Sequence, residues 1–87
     1  MALAEDFADA QVRVKQLTKM PDSGELLELY ALYKQATVGD VEGKRPGMLD
    51  IKGRAKHDAW SSKKSMGKDA AMKEYVAVAE RIIKKYR

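Results

Sequence analysis

Two tyrosines and a lysine have a spacing that could form an anion-binding edge. Tyr30, Tyr33 and Lys34 lie at positions i, i+3 and i+4, so in a helix their side chains share one face. Phenol hydroxyls and an ammonium group suit a ligand that carries both an aromatic ring and a phosphate. The same spacing also fits two core tyrosines with a lysine whose stem lies along them. The spacing alone leaves both interpretations open.

A second group of basic and aromatic residues follows at strict i, i+4 spacing: Lys52, Lys56 and Trp60. Two lysines one helical turn apart repel each other by about 0.2–0.5 kcal/mol unless an anion lies near both. A solvated basic face is the common alternative. This group is therefore compatible with an anionic ligand but does not require one.

Residues for catalysis are sparse in the sequence. His57 is the only histidine, and there is no cysteine for a thiolate zinc site, a disulfide or a nucleophile. The glycine patterns of P-loop and dinucleotide-binding proteins are also missing. We therefore expect binding without catalysis, with no cofactor and no metal.

Charge is distributed unevenly along the 87 residues, whose net charge is +4. Residues 1–43 hold 4 Lys+Arg and 8 Asp+Glu, which gives −4, whereas residues 44–87 hold 13 and 5, which gives +8. The second half should attract anions. A small basic helical bundle that binds nucleic acid is therefore an alternative function.

The first two helices are predicted from apolar spacing and a capping pattern. Apolar residues three and four positions apart predict a first helix over about residues 4–18: Phe7, Ala10, Val14 and Leu17. Pro21 ends that pattern, because the residue before a proline is pushed out of the α region. Asp22 lies three residues before Glu25, as in a capping box, and predicts the start of the second helix. Gly39 is placed to end it.

The second half predicts one long loop and two further helices. Residues 38–49 contain three glycines and a proline without any alternating pattern, which is typical of a loop. Asp50 can cap a third helix, and Ser65 is placed to cap a fourth. The apolar residues of the fourth have helical spacing: Met72, Tyr75, Ala79, Ile82 and Tyr86. We expect a single domain over residues 1–87, an all-α four-helix bundle with the long loop between helices 2 and 3.

The N-terminal residues and the apolar stretches bear on location. The first seven residues carry acids where a signal peptide needs positive charge, and every apolar stretch is broken by charge well short of about 18 residues. We expect a cytoplasmic monomer with no stable membrane insertion.

Four linked motifs cover most of the chain and resemble the signature of one family. They are YxxYKQATVGD at 30–40, RPGMLD at 45–50, KGxAKxDAW at 52–60 and AMKxY at 71–75. Together they resemble the acyl-CoA-binding protein family, also called diazepam-binding inhibitor. The resemblance runs along essentially the whole chain without an insertion. It implies that family's four-helix bundle and a non-catalytic function: binding, buffering and intracellular transport of medium- to long-chain fatty acyl-CoA esters.

The resemblance also implies which residues bind the ligand. Tyr30, Lys34 and Lys56 would hold the 3′-phosphate of the CoA ribose, and Tyr33 would lie at the adenine. The full set of ligand-binding residues that it implies is Lys15, Leu26, Leu27, Tyr30, Ala31, Leu32, Tyr33, Lys34, Lys52, Lys56 and Tyr75. Within that set, Lys15, Lys52 and Tyr75 would complete the head-group site, and Leu26 and Leu27 would contribute to an apolar groove for the acyl chain.

Three positions and one segment depart from the family pattern, the segment being residues 61–65, which are more polar and basic than the family usually has. His57 stands where the family usually has tryptophan, Glu28 where a bulky apolar residue is common, and Met20 where a lysine is common. These changes bear on affinity, chain-length preference and packing. The expected partners are fatty acyl-CoA and, transiently, enzymes that use it. An acyl-CoA hydrolase or transferase is a further alternative, although no nucleophile–base pair is evident.

Overall fold

In the computed structural model, which describes residues 2–87, the chain folds into four α-helices with no strand in that range. The helices are α1 (Leu3–Lys15), α2 (Ser23–Thr37), α3 (Ile51–Ser61) and α4 (Lys68–Tyr86). The longest non-helical segment, residues 38–50, joins α2 to α3. The predicted all-α bundle with its one long loop is confirmed.

Helix α4 lies in the middle of the bundle. Within the described residues, α4 packs against both α1 and α2, whereas α3 packs against α2 alone. The spatial order of the helices is therefore α1, α4, α2, α3. Because the backbones of α1 and α2 both pack on α4 and not on each other, a gap opens between these two helices.

The hydrophobic core lies between α1, α2 and α4. Its buried cluster consists of Phe7, Ala10, Leu29, Leu32, Ala36, Ala71, Tyr75, Val78, Ala79 and Ile82. Val14 and Leu17, which the sequence placed on the apolar face of the first helix, pack against this cluster but are only partly buried. None of the α3 residues 51–61 is buried. The third helix therefore packs on α2 through half-buried side chains and contributes none to the buried core.

Side-chain caps start α2 and α3 as the sequence predicted. Asp22 Oδ1 accepts the N–H of Glu25 at 2.9 Å, and Glu25 Oε1 accepts the N–H of Asp22 at 3.1 Å, which completes a capping box. Asp50 Oδ1 accepts the N–H of Gly53 at 3.0 Å. A Cβ at residue 53 would lie 2.2 Å from that carboxylate, so the cap requires glycine there. Gly39, with φ +102°, follows α2 in the left-handed conformation common after helices.

Two predicted helix ends are wrong. Helix α1 ends at Lys15 and not near residue 18, because the next two N–H groups bond to carbonyls three residues back and tighten the turn. The N-cap of α4 is Gly67 and not Ser65. Ser65 has φ 76° and donates its N–H to Asp40 at 2.7 Å. That bond joins residues 25 positions apart, and local capping patterns do not reveal it.

Candidate functional site

An open groove lies between α1 and α2, which we call the α1–α2 groove. It has a volume of about 350 Å³ and is lined by Gln11, Val14, Lys15, Leu26, Leu29, Tyr30, Tyr33 and Tyr75. Helices α1 and α2 form its walls, and Tyr75 of the central helix lies at its base. Most of the lining is apolar, and its polar groups are a lysine, a glutamine amide and the phenol hydroxyls.

A second hollow extends the groove toward the α1–α2 connection. Its volume is about 340 Å³, and it shares Val14, Lys15 and Leu26 with the first. Its other lining residues are Leu17, Thr18, Lys19, Met20 and Pro21. The two hollows together form a continuous, mostly apolar trough that is open to solvent along its length.

Two phenols that line the groove, Tyr33 and Tyr75, pack against the ring of Phe7, which is not one of the lining residues. The ring of Phe7 stacks on Tyr33 with centroids 6.2 Å apart and meets Tyr75 edge to face at 5.0 Å. Such pairs contribute about 0.5–1.5 kcal/mol beyond the area that they bury. Burial raises the pKa of the Tyr75 phenol, and its Coulombic interaction with Tyr33 raises it further. Tyr75 therefore remains a neutral hydroxyl, able to donate a hydrogen bond, throughout the physiological range of pH.

Two cation–aromatic contacts join α2 to α3 beside the groove. The ammonium of Lys56 lies 5.5 Å from the centroid of the Tyr30 ring, and that of Lys34 lies 5.0 Å from the Trp60 ring. Tyr30 lines the groove and also contacts Lys56. It therefore stands where the apolar trough meets the basic residues of α3. An amphiphilic anion could place its apolar part in the trough and its charge beside Tyr30.

Polar contacts near both ends of the long loop hold α3 in place. The indole N–H of Trp60 donates to the carbonyl oxygen of Gly39 at 2.7 Å. Arg45 forms two hydrogen bonds with Asp58, at 2.9 and 2.7 Å, and the guanidinium lowers the pKa of that carboxyl. Bidentate contacts of this kind fix orientation as well as distance. The loop and α3 thus hold each other in one arrangement.

A hydrogen-bonded junction fixes the loop where it leaves α2. The side-chain amide of Gln35, itself 1% exposed, donates to Asp40 at 2.9 Å and to the carbonyl oxygen of Met66 at 2.7 Å. The bond from Gln35 is the main cause of a lowered pKa at Asp40, with the Ser65 N–H adding to it. This junction ties the end of α2 to the segment before α4.

Two of the departures from the family pattern lie near α3. Glu28 forms a 2.7 Å ion pair with Lys63, which follows α3 in the chain. The carboxylate at residue 28 thus joins α2 to the segment after α3. The His57 side chain is 19% exposed, its Nδ1 lies 4.0 Å from Asp58, and neither ring nitrogen has a hydrogen-bond partner within residues 2–87.

The structure brings most of the predicted site residues together. Lys15, Leu26, Tyr30, Tyr33 and Tyr75 line the α1–α2 groove. The predicted phosphate ligands Lys34 and Lys56 lie against aromatic rings beside it. Lys52 is exposed one turn before Lys56, and Leu27 is half-buried outside the groove lining.

Ala31 and Leu32 do not reach the groove. They are 1% and 0% exposed, and Leu32 belongs to the core because it shares the inward face of α2 with Leu29 and Ala36. Their assignment as ligand contacts remains a prediction that their buried side chains do not support. Helical periodicity could have separated them from Tyr30 and Tyr33 in the sequence.

Three groove residues were missing from the predicted set: Gln11, Val14 and Leu29. Gln11 lies four residues before Lys15, so their side chains share a face of α1. That four-residue spacing is visible in the sequence and could have identified Gln11 as a neighbour of Lys15 in the site. Val14 had been interpreted as core because an apolar residue at the right spacing looks the same whether it faces a core or a groove.

Clusters of metal ligands and membrane-spanning helices are both absent from the described residues. No cluster of histidine, cysteine, aspartate or glutamate able to hold a metal ion is present in residues 2–87. In the same range, each helix falls short of the length or apolarity needed to cross a bilayer. The features of the site are thus its groove, its phenol hydroxyls and the lysines in and beside it.

The fold and the groove define a small all-α binding protein, and comparison with known proteins gives its family. A sequence profile described as "Acyl CoA binding protein" matches residues 4–79. Acyl-CoA-binding protein homolog 1 of Caenorhabditis elegans is 54% identical over 80 residues, covering 92% of this chain and 93% of that protein. The Acyl-CoA-binding protein homolog of Drosophila melanogaster is 46% identical over 84 residues, covering 97% and 98%.

Solved structures agree with this result. The crystal structure of Oryza sativa Acyl-CoA-Binding Protein 2 superimposes with a TM-score of 0.91 at 36% identity, covering 97% of this chain and 93% of that one. The crystal structure of ACBP from Moniliophthora perniciosa gives a TM-score of 0.88 at 40% identity, covering 99% and 84%. The chain belongs to the acyl-CoA-binding protein family.

Proposed function

We propose that this protein binds medium- to long-chain fatty acyl-CoA esters without catalysis, and buffers and transports them within the cell. The observation that carries the proposal is the position of Tyr30, which lines an open apolar groove and also contacts Lys56 of the neighbouring helix. A fatty acyl-CoA has matching parts, an apolar tail and a phosphorylated nucleotide head. Membership of the family supports the same function.

The head group would bind where α2 meets α3. Lys34, Lys56 and the Tyr30 hydroxyl would hold the 3′-phosphate, since ammonium–phosphate contacts are among the stronger hydrogen bonds. The adenine would lie at Tyr33, whose ring is 40% exposed and offers a surface for stacking. Lys52, exposed one turn before Lys56, adds positive charge on the same helix.

The acyl chain would lie in the α1–α2 groove. Each buried methylene contributes about 0.8 kcal/mol before the cost of association, so a long chain supplies a large share of the affinity. Lys15, which lines both hollows, would contact the polar atoms near the start of the chain. The open trough would let the ligand leave without unfolding of the bundle.

A carrier of this kind needs no reacting group. Its ligand would be released unchanged to enzymes that use acyl-CoA, through transient contacts and from a cytoplasmic monomer. The groove is lined mainly by apolar and aromatic side chains, with no histidine among them. The nucleic-acid alternative gains no support from the family or from the groove.

Titration calorimetry with palmitoyl-CoA tests the proposal. We expect saturable one-to-one binding at micromolar protein, and much weaker binding of palmitate and of free CoA, since each has only half of the recognised chemistry. Equal binding of palmitate, or no saturable binding of palmitoyl-CoA, would refute the proposal. Recovery of free thiol in the same mixture would instead support the hydrolase alternative.

A further inference from the structure

The second hollow of the trough, which we call the distal hollow, nearly doubles the space that the α1–α2 groove offers. The groove has a volume of about 350 Å³ and the distal hollow one of about 340 Å³. Val14, Lys15 and Leu26 line both, so they mark where the two join. Leu26 lies one helical turn before Tyr30 on α2, so the distal hollow extends away from the proposed head-group site. The far end of a long acyl chain would reach it.

The connection between α1 and α2 forms the wall of the distal hollow, and this connection is held in place. Leu17 packs against the core cluster, and Pro21 is buried. The N–H of Leu17 donates to the carbonyl oxygen of Val14 at 3.2 Å, and the N–H of Asp22 donates to the Tyr86 hydroxyl at 3.3 Å. Because both ends of the connection are fixed, the hollow does not need a ligand to form.

Met20 is the exposed apolar side chain of this connection. It lines the distal hollow and yet is 81% exposed. Methionine is unbranched and flexible, and its thioether adapts to irregular gaps, so it can cover an apolar chain end that a rigid wall would leave in water. Met20 is also one of the positions that depart from the family pattern. A lysine there would instead bring a strongly hydrated ammonium group to the end of the trough.

We propose that Met20 covers the terminal methylenes of a long acyl chain in the distal hollow and thereby sets the chain-length preference of this protein. The proposal rests on the function proposed above and adds which part of the trough selects among its ligands. A chain that ends in the first hollow gains nothing from Met20. Each further methylene that leaves water in the distal hollow improves the affinity by up to about fourfold. Met20 therefore determines specificity and does not anchor the head group.

Nuclear magnetic resonance tests the contact directly, because the chain has only five methionines to resolve. The protein is labelled at the methionine methyl carbons, and the Met20 signal is assigned with Met20→Leu. We expect this signal to shift with stearoyl-CoA and to stay near its ligand-free position with dodecanoyl-CoA. Met48, which is 82% exposed and lines neither hollow, is the control and should respond alike to both esters. A Met20 signal that moves equally with both esters, or with neither, would overturn the proposal.

Calorimetry with the same two esters measures the effect on affinity. We expect the unmodified protein to bind stearoyl-CoA about tenfold or more tightly than dodecanoyl-CoA. Met20→Lys should weaken binding of stearoyl-CoA about threefold to tenfold and change that of dodecanoyl-CoA by less than about twofold, whereas Met20→Leu should keep the original preference. Met48→Lys adds the same charge at an exposed methionine outside both hollows, and it should leave the ratio of the two affinities unchanged.

The outcomes separate this proposal from the carrier function. An equal loss for both esters in Met20→Lys, no loss for either, or the same change of ratio in Met48→Lys would each overturn the role of Met20. In those cases the unmodified protein would still bind palmitoyl-CoA saturably. Absence of that binding would refute the carrier function itself, and the role of Met20 with it.

Discussion

The two sides of the proposed ligand site are held in place by different interactions. Tyr30 and Tyr33 stand on α2, which is anchored in the core through the neighbouring Leu29 and Leu32. Lys52 and Lys56 stand on α3, in which none of residues 51–61 is buried. The aromatic side is therefore positioned by packing in the buried core, and the basic side by half-buried side chains together with a few polar contacts.

Because of this difference, the residues that stabilise the fold are largely distinct from the α3 residues that would bind the ligand. Buried area contributes most of the free energy of folding, so the α1–α4–α2 core can be stable whether or not α3 is correctly seated. Local opening occurs first in segments with few buried apolar contacts. We therefore expect α3 to open more readily than the core and to become more protected when a phosphorylated ligand bridges it to α2.

The largest expected effect comes from a matched pair of isoleucines. Ile82 in α4 is 0% exposed and Ile51 in α3 is 77% exposed. Ile82→Ala should lower the free energy of unfolding by about 2–5 kcal/mol, because it leaves a cavity in the core. Ile51→Ala should change it by less than about 0.5 kcal/mol. Urea denaturation followed by circular dichroism measures both, and equal losses would contradict the assignment of stability to the core.

The next effect concerns ligand binding by α3. Lys56→Ala should weaken binding of palmitoyl-CoA by about 1.5–3 kcal/mol, because a charge-assisted phosphate contact is lost. The corresponding dephospho-CoA ester, which lacks the 3′-phosphate, should be nearly indifferent to the change. Lys84→Ala, in the last turn of α4, removes the same charge and serves as the control in calorimetry. A similar loss of affinity for both esters would show that Lys56 does not contact the 3′-phosphate.

A smaller effect should be confined to the attachment of α3. Trp60→Phe keeps an aromatic ring beside Lys34 but removes the N–H that donates to Gly39 at 2.7 Å. Loss of one such bond costs about 1 kcal/mol. Amide hydrogen exchange should then accelerate in α3 and remain unchanged around Ile82 in α4. Uniform acceleration along the chain would mean that α3 and the core unfold as one unit.

The smallest expected effect is a dependence on pH. Arg45 lowers the pKa of Asp58 in the folded protein, so the pair stabilises α3 above the ordinary aspartate pKa of about 3.9. That contribution is lost as pH falls from this value through the lower folded pKa. The protection factors of the α3 amides, which are exchange rates corrected for their intrinsic pH dependence, should therefore fall on acidification. Asp58→Asn should remove the part of that fall due to this pair. Because both side chains are 49% exposed, high salt should weaken the effect. An unchanged pH profile in Asp58→Asn would show that the pair does not hold α3.

The sequence predicted the local features of α3 well and its attachment poorly. Asp50 and Gly53 are three residues apart, and their hydrogen bond follows from rules for a single helix end. The Trp60–Gly39 bond, the Arg45–Asp58 pair and the Glu28–Lys63 pair join residues 13 to 35 positions apart. No periodicity relates such residues, so only the folded chain brings them together.

By itself the sequence determined four helices, the capping box of α2, the side-chain cap of α3, the long loop and the family. These features depend on spacing over a few residues or on motifs that are linked along the chain. Tertiary structure decided that the backbones of α1 and α2 both pack on α4 and not on each other, which opens the groove. It also decided that Val14 lines this groove, although its apolar spacing fits a core position equally well. The physical reason is that an apolar pattern marks which face of a helix avoids water, whereas the order of packing decides what lies against that face.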